Sequence, residues 1–257
     1  MAKCRALPPE FNPKPEDGLP RRNAENAKES SRWGAPRAPS NDLLCALCVL
    51  SRLNNFCLHS AMSRSICVFS SSSDAVAPHY TELATALGAL LARRGLTLIY
   101  GGGRVGLMGA LARAVHAGGG RVIGVLPGFL RVKEVAYEEA DELIITTDLR
   151  ERKAIMEARA DAFIALPGGF GTLEEILEIL TLKQLATHAK PVVFLNARGF
   201  FDPLLALFEQ LYREQFTKEH FRDHYYIAAA PEPALDHIER YQPPAPVAKW
   251  FGKKSSP

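Results

Sequence analysis

The sequence lacks the features that mark membrane, disulfide-rich and nucleic-acid-binding proteins. No apolar run in the 257 residues approaches the ~20 residues of a membrane-spanning helix, so we expect no membrane partner. The formal net charge of +3 is too small to indicate binding to nucleic acid. The five cysteines are an odd number and all precede residue 68, so we expect no disulfide framework.

Several catalytic and binding motifs are also absent. There is no Gly-Lys-Ser/Thr phosphate loop, no G-x-S-x-G nucleophile turn and no cluster of metal ligands among the seven histidines. Cys45 and Cys48 have C-x-x-C spacing but lack a second ligand pair, so we interpret them as apolar residues rather than a zinc or redox site. We therefore expect neither a metal nor an organic cofactor.

Composition divides the chain into three parts. Residues 1–61 begin with a stretch rich in Pro, Arg, Glu, Asn and Ser that has no hydrophobic periodicity, and we predict a disordered N-terminal extension. Patterned sequence begins just after Met62, which leads to the hypothesis that Met62 is close to the natural start. Residues 62–242 are predicted to form one nucleotide-binding catalytic domain, and residues 243–257 a proline-rich tail.

From Ser65 the chain alternates short apolar runs with amphipathic stretches. Six strands are predicted, at residues 66–69, 96–100, 122–126, 143–145, 162–166 and 191–195. This alternation predicts an α/β fold, Rossmann-like, with a mostly parallel sheet and helices on both faces, in a single domain. Such sheets bind ligands at the carboxyl ends of their strands. Four polar or glycine-rich segments lie there, at residues 70–73, 101–106, 150–153 and 168–172.

The turn that follows the fifth strand reads Pro-Gly-Gly-Phe-Gly-Thr-Leu-Glu-Glu over residues 167–175. Its three glycines let an anion approach the backbone, and the N-terminus of the next helix favours negative charge, so we predict that a phosphate binds here. Glu175 follows Thr172 at the spacing of a capping box. The motif alone does not choose between a structural cap and a carboxylate that faces a sugar or a water.

A second glycine-rich turn, Gly101-x-Gly103-x-x-Gly106, matches the dinucleotide fingerprint and follows a predicted strand. The fingerprint also requires an acidic residue at the end of the next strand, where Leu126-Pro127-Gly128 stands instead. The turn therefore favours a mononucleotide over NAD, and a turn without a ligand is the alternative. The basic residues at 150–153 could bind phosphate or sugar hydroxyls, or could form a solvated charged face.

Three segments together resemble the LOG family of cytokinin riboside 5′-monophosphate phosphoribohydrolases, many of which have been labelled possible lysine decarboxylases. The segments are Tyr100 to Gly109, Arg150-x-Arg152-Lys153 and Pro167 to Glu175, and the resemblance extends over about residues 64–240. It implies a Rossmann-like cytoplasmic enzyme that assembles as a homodimer or larger homo-oligomer. It also implies hydrolysis of the N-glycosidic bond of AMP or isopentenyl-AMP to free base and ribose 5-phosphate.

The resemblance implies that Arg152 and Glu175 are catalytic. The predicted substrate-binding residues are Ser72, Gly102, Gly103, Gly106, Lys153, Gly168, Gly169, Gly171 and Thr172. Glu175 would stabilise an oxocarbenium-like sugar and orient the attacking water, and Arg152 would hold the sugar or phosphate and keep Glu175 ionised.

The chain departs from the family pattern at two places. Many members have Met-His where this chain has Leu149-Arg150, and many have Cys-Gly-Ser-Ser where this chain has four serines, so that Ser71 replaces a glycine. Two alternative functions stay open. One is a mononucleotide-binding protein without catalysis, and the other, less favoured because no lysine has a recognisable Schiff-base setting, is a pyridoxal-phosphate-dependent decarboxylase.

Overall fold

The structure, a computed structural model, describes residues 64–131 and 135–244. The predicted extension at 1–61 lies outside these residues, as does the predicted tail beyond Pro244. Seven strands form one sheet in the order β4-β3-β2-β1-β5-β6-β7, and every strand pairing is parallel. The strands are β1 Ser65–Phe69, β2 Thr97–Tyr100, β3 Val122–Pro127, β4 Glu142–Thr146, β5 Ala162–Ala165, β6 Val192–Leu195 and β7 Tyr226–Ala228.

The structure confirms the α/β fold class and contains one strand, β7, that was not predicted. β7 is only three residues long and pairs with β6 at the sheet edge, so its sequence carries too little alternation to identify it. In the described part of the chain seven α-helices accompany the sheet: α1 Pro78–Arg93, α2 Gly106–Ala117, α3 Gly128–Arg131, α4 Leu149–Arg159, α5 Phe170–Gln184, α6 Asp202–Arg213 and α7 Pro231–Arg240. Two short 3-10 helices, Ala197–Gly199 and Glu219–His224, are also present. Within the described ranges, no helix is long and apolar enough to cross a membrane.

Alternating side chains of the central strand divide the core into two layers. Ile66 and Val68 pack in the layer that α1, α2 and α7 cover, whereas Cys67 and Phe69 pack in the layer that α4, α5 and α6 cover. This arrangement buries both faces of the strand, because successive residues of a strand point to opposite sides of the sheet. The predicted placement of helices on both faces is therefore confirmed.

The order of the strands places a crevice at the middle of the sheet. After β1 the chain proceeds outward through β2, β3 and β4, and it then crosses back to β5, which pairs with the other side of β1. The connections that leave β1 and β5 therefore run to opposite sides. In open parallel sheets this switch point is where ligands bind, outside the carboxyl ends of the strands.

Candidate active site

A cleft of about 650 Å³ opens at the switch point, which is a suitable volume for a nucleotide. One wall consists of the loop after β1, the turn after β2, a side chain of α4 and the first turns of α5. The remaining wall is apolar and is formed by Met108, Leu126, Leu130, Val135 and Leu149. The cleft thus combines a polar, glycine-rich wall with a wall that suits a flat organic ring.

The polar wall holds a buried ion pair between α4 and α5. The guanidinium Nη1 of Arg152 donates to Oε1 of Glu175, and each side chain is only 11% exposed. Arg152 is fixed further because its Nε donates to the carbonyl oxygen of Val125 at 2.9 Å. A Cβ at Gly101 would collide with the other guanidinium nitrogen, so this position requires glycine. Both side chains line the cleft, where a ligand can reach them.

Local capping sets the direction of α4. Asp148 is the N-cap residue, and its Oδ1 accepts hydrogen bonds from the amides of Arg150 and Glu151 at 2.8 and 2.9 Å. This cap starts α4 so that Arg152 falls in its first turn. Burial raises the pKa of Glu175, while the charge and hydrogen bond of Arg152 act in the opposite direction.

The capping-box interpretation of Thr172 and Glu175 is wrong. Helix α5 begins at Phe170, with Gly169 as its N-cap and no side-chain capping bond. Thr172 is therefore already inside the first turn, and Glu175 lies in the second, where its carboxylate bonds to Arg152 instead of a backbone amide. The helix starts earlier than the spacing suggests because Gly168 lets the chain turn over the Thr172 side chain, whose Cβ would lie 2.6 Å from a Cβ at position 168.

The first turn of α5 is open to an anion. Among the described residues, the amides of Phe170, Gly171 and Thr172 have no hydrogen-bond acceptor. The hydroxyl of Ser70 lines the same cleft, and it is buried without a partner, the residue being 8% exposed. Unpaired helix N-terminal amides and a buried hydroxyl that lacks a partner are groups that a phosphate satisfies.

The first turn of α2, by contrast, is already occupied. The Gly106 amide donates to Oδ1 of Asp74 at 2.7 Å, and the Met108 amide donates to the carbonyl oxygen of Ser71 at 3.3 Å. Gly106 has a φ of +60°, and a Cβ there would lie 2.5 Å from the carbonyl carbon of Ser72. The glycine therefore serves the packing of the loop after β1 against α2.

The remaining glycines of this turn divide between packing and the cleft. Gly102 has a φ of +73° and packs against β3, where its Cβ would lie 3.0 Å from that of Leu126. Gly102 and Gly106 therefore do not line the cleft, whereas Gly101 and Gly103 do. The dinucleotide-like pattern in the sequence is thus largely a packing pattern in the structure.

Lys153 is directed away from the cleft. Its ammonium pairs with Glu174 and, at 2.7 Å, with Glu178. Lys153 therefore links α4 to α5 beside the Arg152–Glu175 pair. It lines a pocket of about 340 Å³ together with Arg150, and Glu175 lines both this pocket and the cleft. Lys153 was predicted to bind substrate, and the structure places it in a bridge between two helices.

The structure brings most of the predicted site residues together. Those that line the cleft are Ser72, Gly103, Arg152, Gly169, Gly171, Thr172 and Glu175. Those that do not are Gly102, Gly106, Lys153 and Gly168, of which Gly168 lines an adjoining apolar pocket of about 260 Å³. For Lys153 the separation follows from side-chain direction, because neighbouring residues of a helix point to different sides, whereas Gly102 and Gly106 are separated from the cleft by the path of the backbone.

The two departures from the family pattern are accommodated. Ser71 has no positive φ, and its Oγ accepts a hydrogen bond from the Ser73 amide at 3.1 Å, so a side chain fits where relatives have glycine. Leu149 lines the cleft and is half exposed, whereas Arg150 does not line it.

Sequence reasoning missed several cleft residues. Ser70 and Phe170 lie in segments that the sequence placed at the ligand-binding edge but were not singled out as site residues, and Leu130 carries no such signal. Phe170 is 93% exposed at the mouth of the cleft. Among the described residues no lysine lines the cleft, and no group of three or more potential metal ligands occurs.

Comparisons with known proteins place the chain in one family. Residues 108–238 match the family model described as possible lysine decarboxylase. The chain is 44% identical over 180 residues to the cytokinin riboside 5′-monophosphate phosphoribohydrolase LOG of Oryza sativa subsp. japonica, an alignment that covers 70% of this chain and 74% of that protein. It is also 44% identical over 178 residues to such a phosphoribohydrolase of Arabidopsis thaliana, with 69% and 82% covered.

The fold also resembles that of solved structures. The molybdenum cofactor binding protein from the phototrophic bacterium Rippkaea orientalis superposes with a TM-score of 0.55 and 27% identity, covering 70% of this chain and 98% of that one.

Proposed function

The chain belongs to the LOG family, and from that membership we propose that it hydrolyses the N-glycosidic bond of AMP or of cytokinin riboside 5′-monophosphates to free base and ribose 5-phosphate. The observation that carries this proposal is the adjacency of two features in one cleft. An unoccupied helix N-terminus stands one helical turn from a buried arginine–glutamate pair. Together they fit a phosphorylated sugar whose reacting carbon lies beside a carboxylate.

The 5′-phosphate binds at the first turn of α5. The free amides of Phe170, Gly171 and Thr172 donate to its oxygens, and the hydroxyl of Ser70 finds the partner that it otherwise lacks. This binding fixes the ribose, because the phosphate is remote from the bond that breaks and its binding energy serves to position the sugar.

Glu175 then acts on the anomeric carbon. As C1′–N9 breaks, the sugar gains positive charge, which the Glu175 carboxylate stabilises. A water oxygen forms the new bond to C1′, Glu175 accepts a proton from that water, and the departing base takes up a proton at nitrogen. Burial raises the pKa of Glu175, which brings the carboxylate closer to the range that suits a general base, and Arg152 opposes this shift and orients the carboxylate.

The base lies against the apolar wall. Leu130, Val135 and Leu149 offer a surface without charged groups, which suits a purine ring and an apolar substituent on its exocyclic nitrogen. This wall supports modified adenine nucleotides as substrates as well as AMP.

The assembly we propose is a homodimer or larger homo-oligomer in the cytoplasm. Phe129, Leu149 and Phe170 are large apolar side chains that are half exposed or more, and exposed apolar groups of this size favour burial against a second copy. Light scattering of the purified chain tests this assembly, and a monomer at micromolar concentration would contradict it.

The decisive experiment follows both products. The chain is incubated with AMP and with isopentenyladenosine 5′-monophosphate in phosphate-free buffer that contains ¹⁸O-labelled water. We expect free base and ribose 5-phosphate that carries the label at C1. Nucleotide binding without base release would favour the non-catalytic alternative. Carbon dioxide released from lysine, together with a visible pyridoxal-phosphate absorption band, would favour the decarboxylase.

A further inference from the structure

The glycine-rich turn after β2 has the pattern of a pyrophosphate site, yet it is closed by the protein's own carboxylate. In the dinucleotide fold a phosphate takes the amides at the start of the helix that follows such a turn. Here Oδ1 of Asp74 takes the Gly106 amide at 2.7 Å. The aspartate lies 32 residues away in sequence and reaches α2 from the loop after β1.

The residues on either side of this hydrogen bond belong to segments that contribute to the polar wall of the cleft. Asp74 is bonded to Gly106, whose neighbour Val105 lines the cleft, and it lies two residues after Ser72, which also lines the cleft. The loop is packed tightly here, since a Cβ on Gly106 would lie 2.7 Å from the Ser73 amide nitrogen. Asp74 therefore supplies a fixed negative charge where a second phosphate would otherwise find the positive end of α2.

The two helix N-termini beside the cleft thus differ in charge. The first turn of α5 is free of acceptors among the described residues, whereas α2 carries an internal anion. We propose that Asp74 is a specificity-determining residue that restricts the cleft to nucleotides with a single phosphate and disfavours diphosphates. The proposal rests on the proposed function, because it concerns the same nucleotide site.

The experiment compares AMP and ADP binding by calorimetry in the full chain carrying Glu175→Gln, so that neither nucleotide is consumed. Asp74→Asn keeps an oxygen acceptor for the Gly106 amide and removes the charge, and Asp74→Ala removes both. Glu82→Gln, which removes an exposed charge from α1, is the matched control. We expect the ratio of the Kd for ADP to the Kd for AMP to fall by on the order of tenfold in Asp74→Asn and to stay unchanged in the control.

The outcomes separate the two proposals. If Asp74 only capped α2, its substitutions would weaken AMP and ADP binding in parallel, and an unchanged AMP-to-ADP ratio in both Asp74 variants would overturn the specificity role. The unfolding midpoint of each variant verifies that the fold persists, and Asp74→Asn remains informative if Asp74→Ala fails to fold. Absence of AMP binding with Asp74 intact would overturn the proposed function itself and, with it, the specificity role of Asp74.

Discussion

Replacing Glu175 by glutamine should remove catalysis while leaving nucleotide binding and stability intact. Glutamine has the same shape but can neither stabilise a developing positive charge nor accept a proton from water. General-base and electrostatic contributions of one such group are each worth about 10²–10⁴-fold, so we expect kcat to fall by roughly 10³–10⁴-fold. The Kd for AMP should change less than about threefold, because the proposed phosphate site at the first turn of α5 does not use the Glu175 side chain.

The stability part of this prediction follows from the pKa of Glu175. Burial raises that pKa above its ordinary value even though Arg152 opposes the shift. The folded state therefore binds the proton more tightly than the unfolded state, so the free energy of unfolding falls as the pH rises from the unfolded-state pKa through the folded-state pKa. The glutamine variant does not lose stability in this way, because the glutamine side chain does not ionise. At neutral pH the variant should therefore be at least as stable as the wild type, as expected when a catalytic group is kept at a cost in stability.

Two measurements and one control test the argument. Base release from AMP gives kcat, and urea unfolding followed by circular dichroism gives the free energy. The control is Glu174→Gln, since Glu174 is 57% exposed and its partner Lys153 retains Glu178. We expect the control to keep kcat within about threefold and stability within ~0.5 kcal/mol. A Glu175→Gln variant with kcat within tenfold of the wild type, or one destabilised by more than about 2 kcal/mol, would refute the reasoning.

Three further outcomes are expected. Lys153→Met should lower the free energy of unfolding by ~1 kcal/mol in urea titrations and leave the Kd for AMP within about twofold, because the ammonium bridges two helices outside the cleft. The value of kcat/KM should fall on acidification, because Glu175 takes up a proton. In Arg152→Gln this fall should occur at higher pH, since the guanidinium lowers the pKa of Glu175. A pH profile that does not move would contradict the pairing of Arg152 with Glu175. Gly106→Ala should cost more than about 2 kcal/mol in thermal unfolding, because the left-handed backbone and the 2.5 Å approach to Ser72 leave no room for a Cβ.

The fold class was predictable because its signals are local. Apolar runs of three to five residues separated by helical stripes indicate parallel strands with buried faces. Six of the seven strands were anticipated, and β7, a three-residue strand at the sheet edge, was not. Arg152, Glu175 and the turn at Gly169–Thr172 also line one cleft, at the sheet edge where parallel strands bind ligands, and their roles in catalysis and phosphate binding stay predictions.

Only the tertiary structure decided how each motif is used. Two glycine-rich turns look alike in sequence, yet Asp74 closes one, and no spacing rule connects that residue with Gly106. Adjacent basic residues look equivalent, yet Arg152 enters the cleft and Lys153 leaves it, because successive helical positions differ in direction by about 100°. Sequence thus determined which elements form and which residues carry charge. Tertiary structure determined which of those groups are satisfied internally and which remain free for a ligand, because that depends on partners from distant parts of the chain.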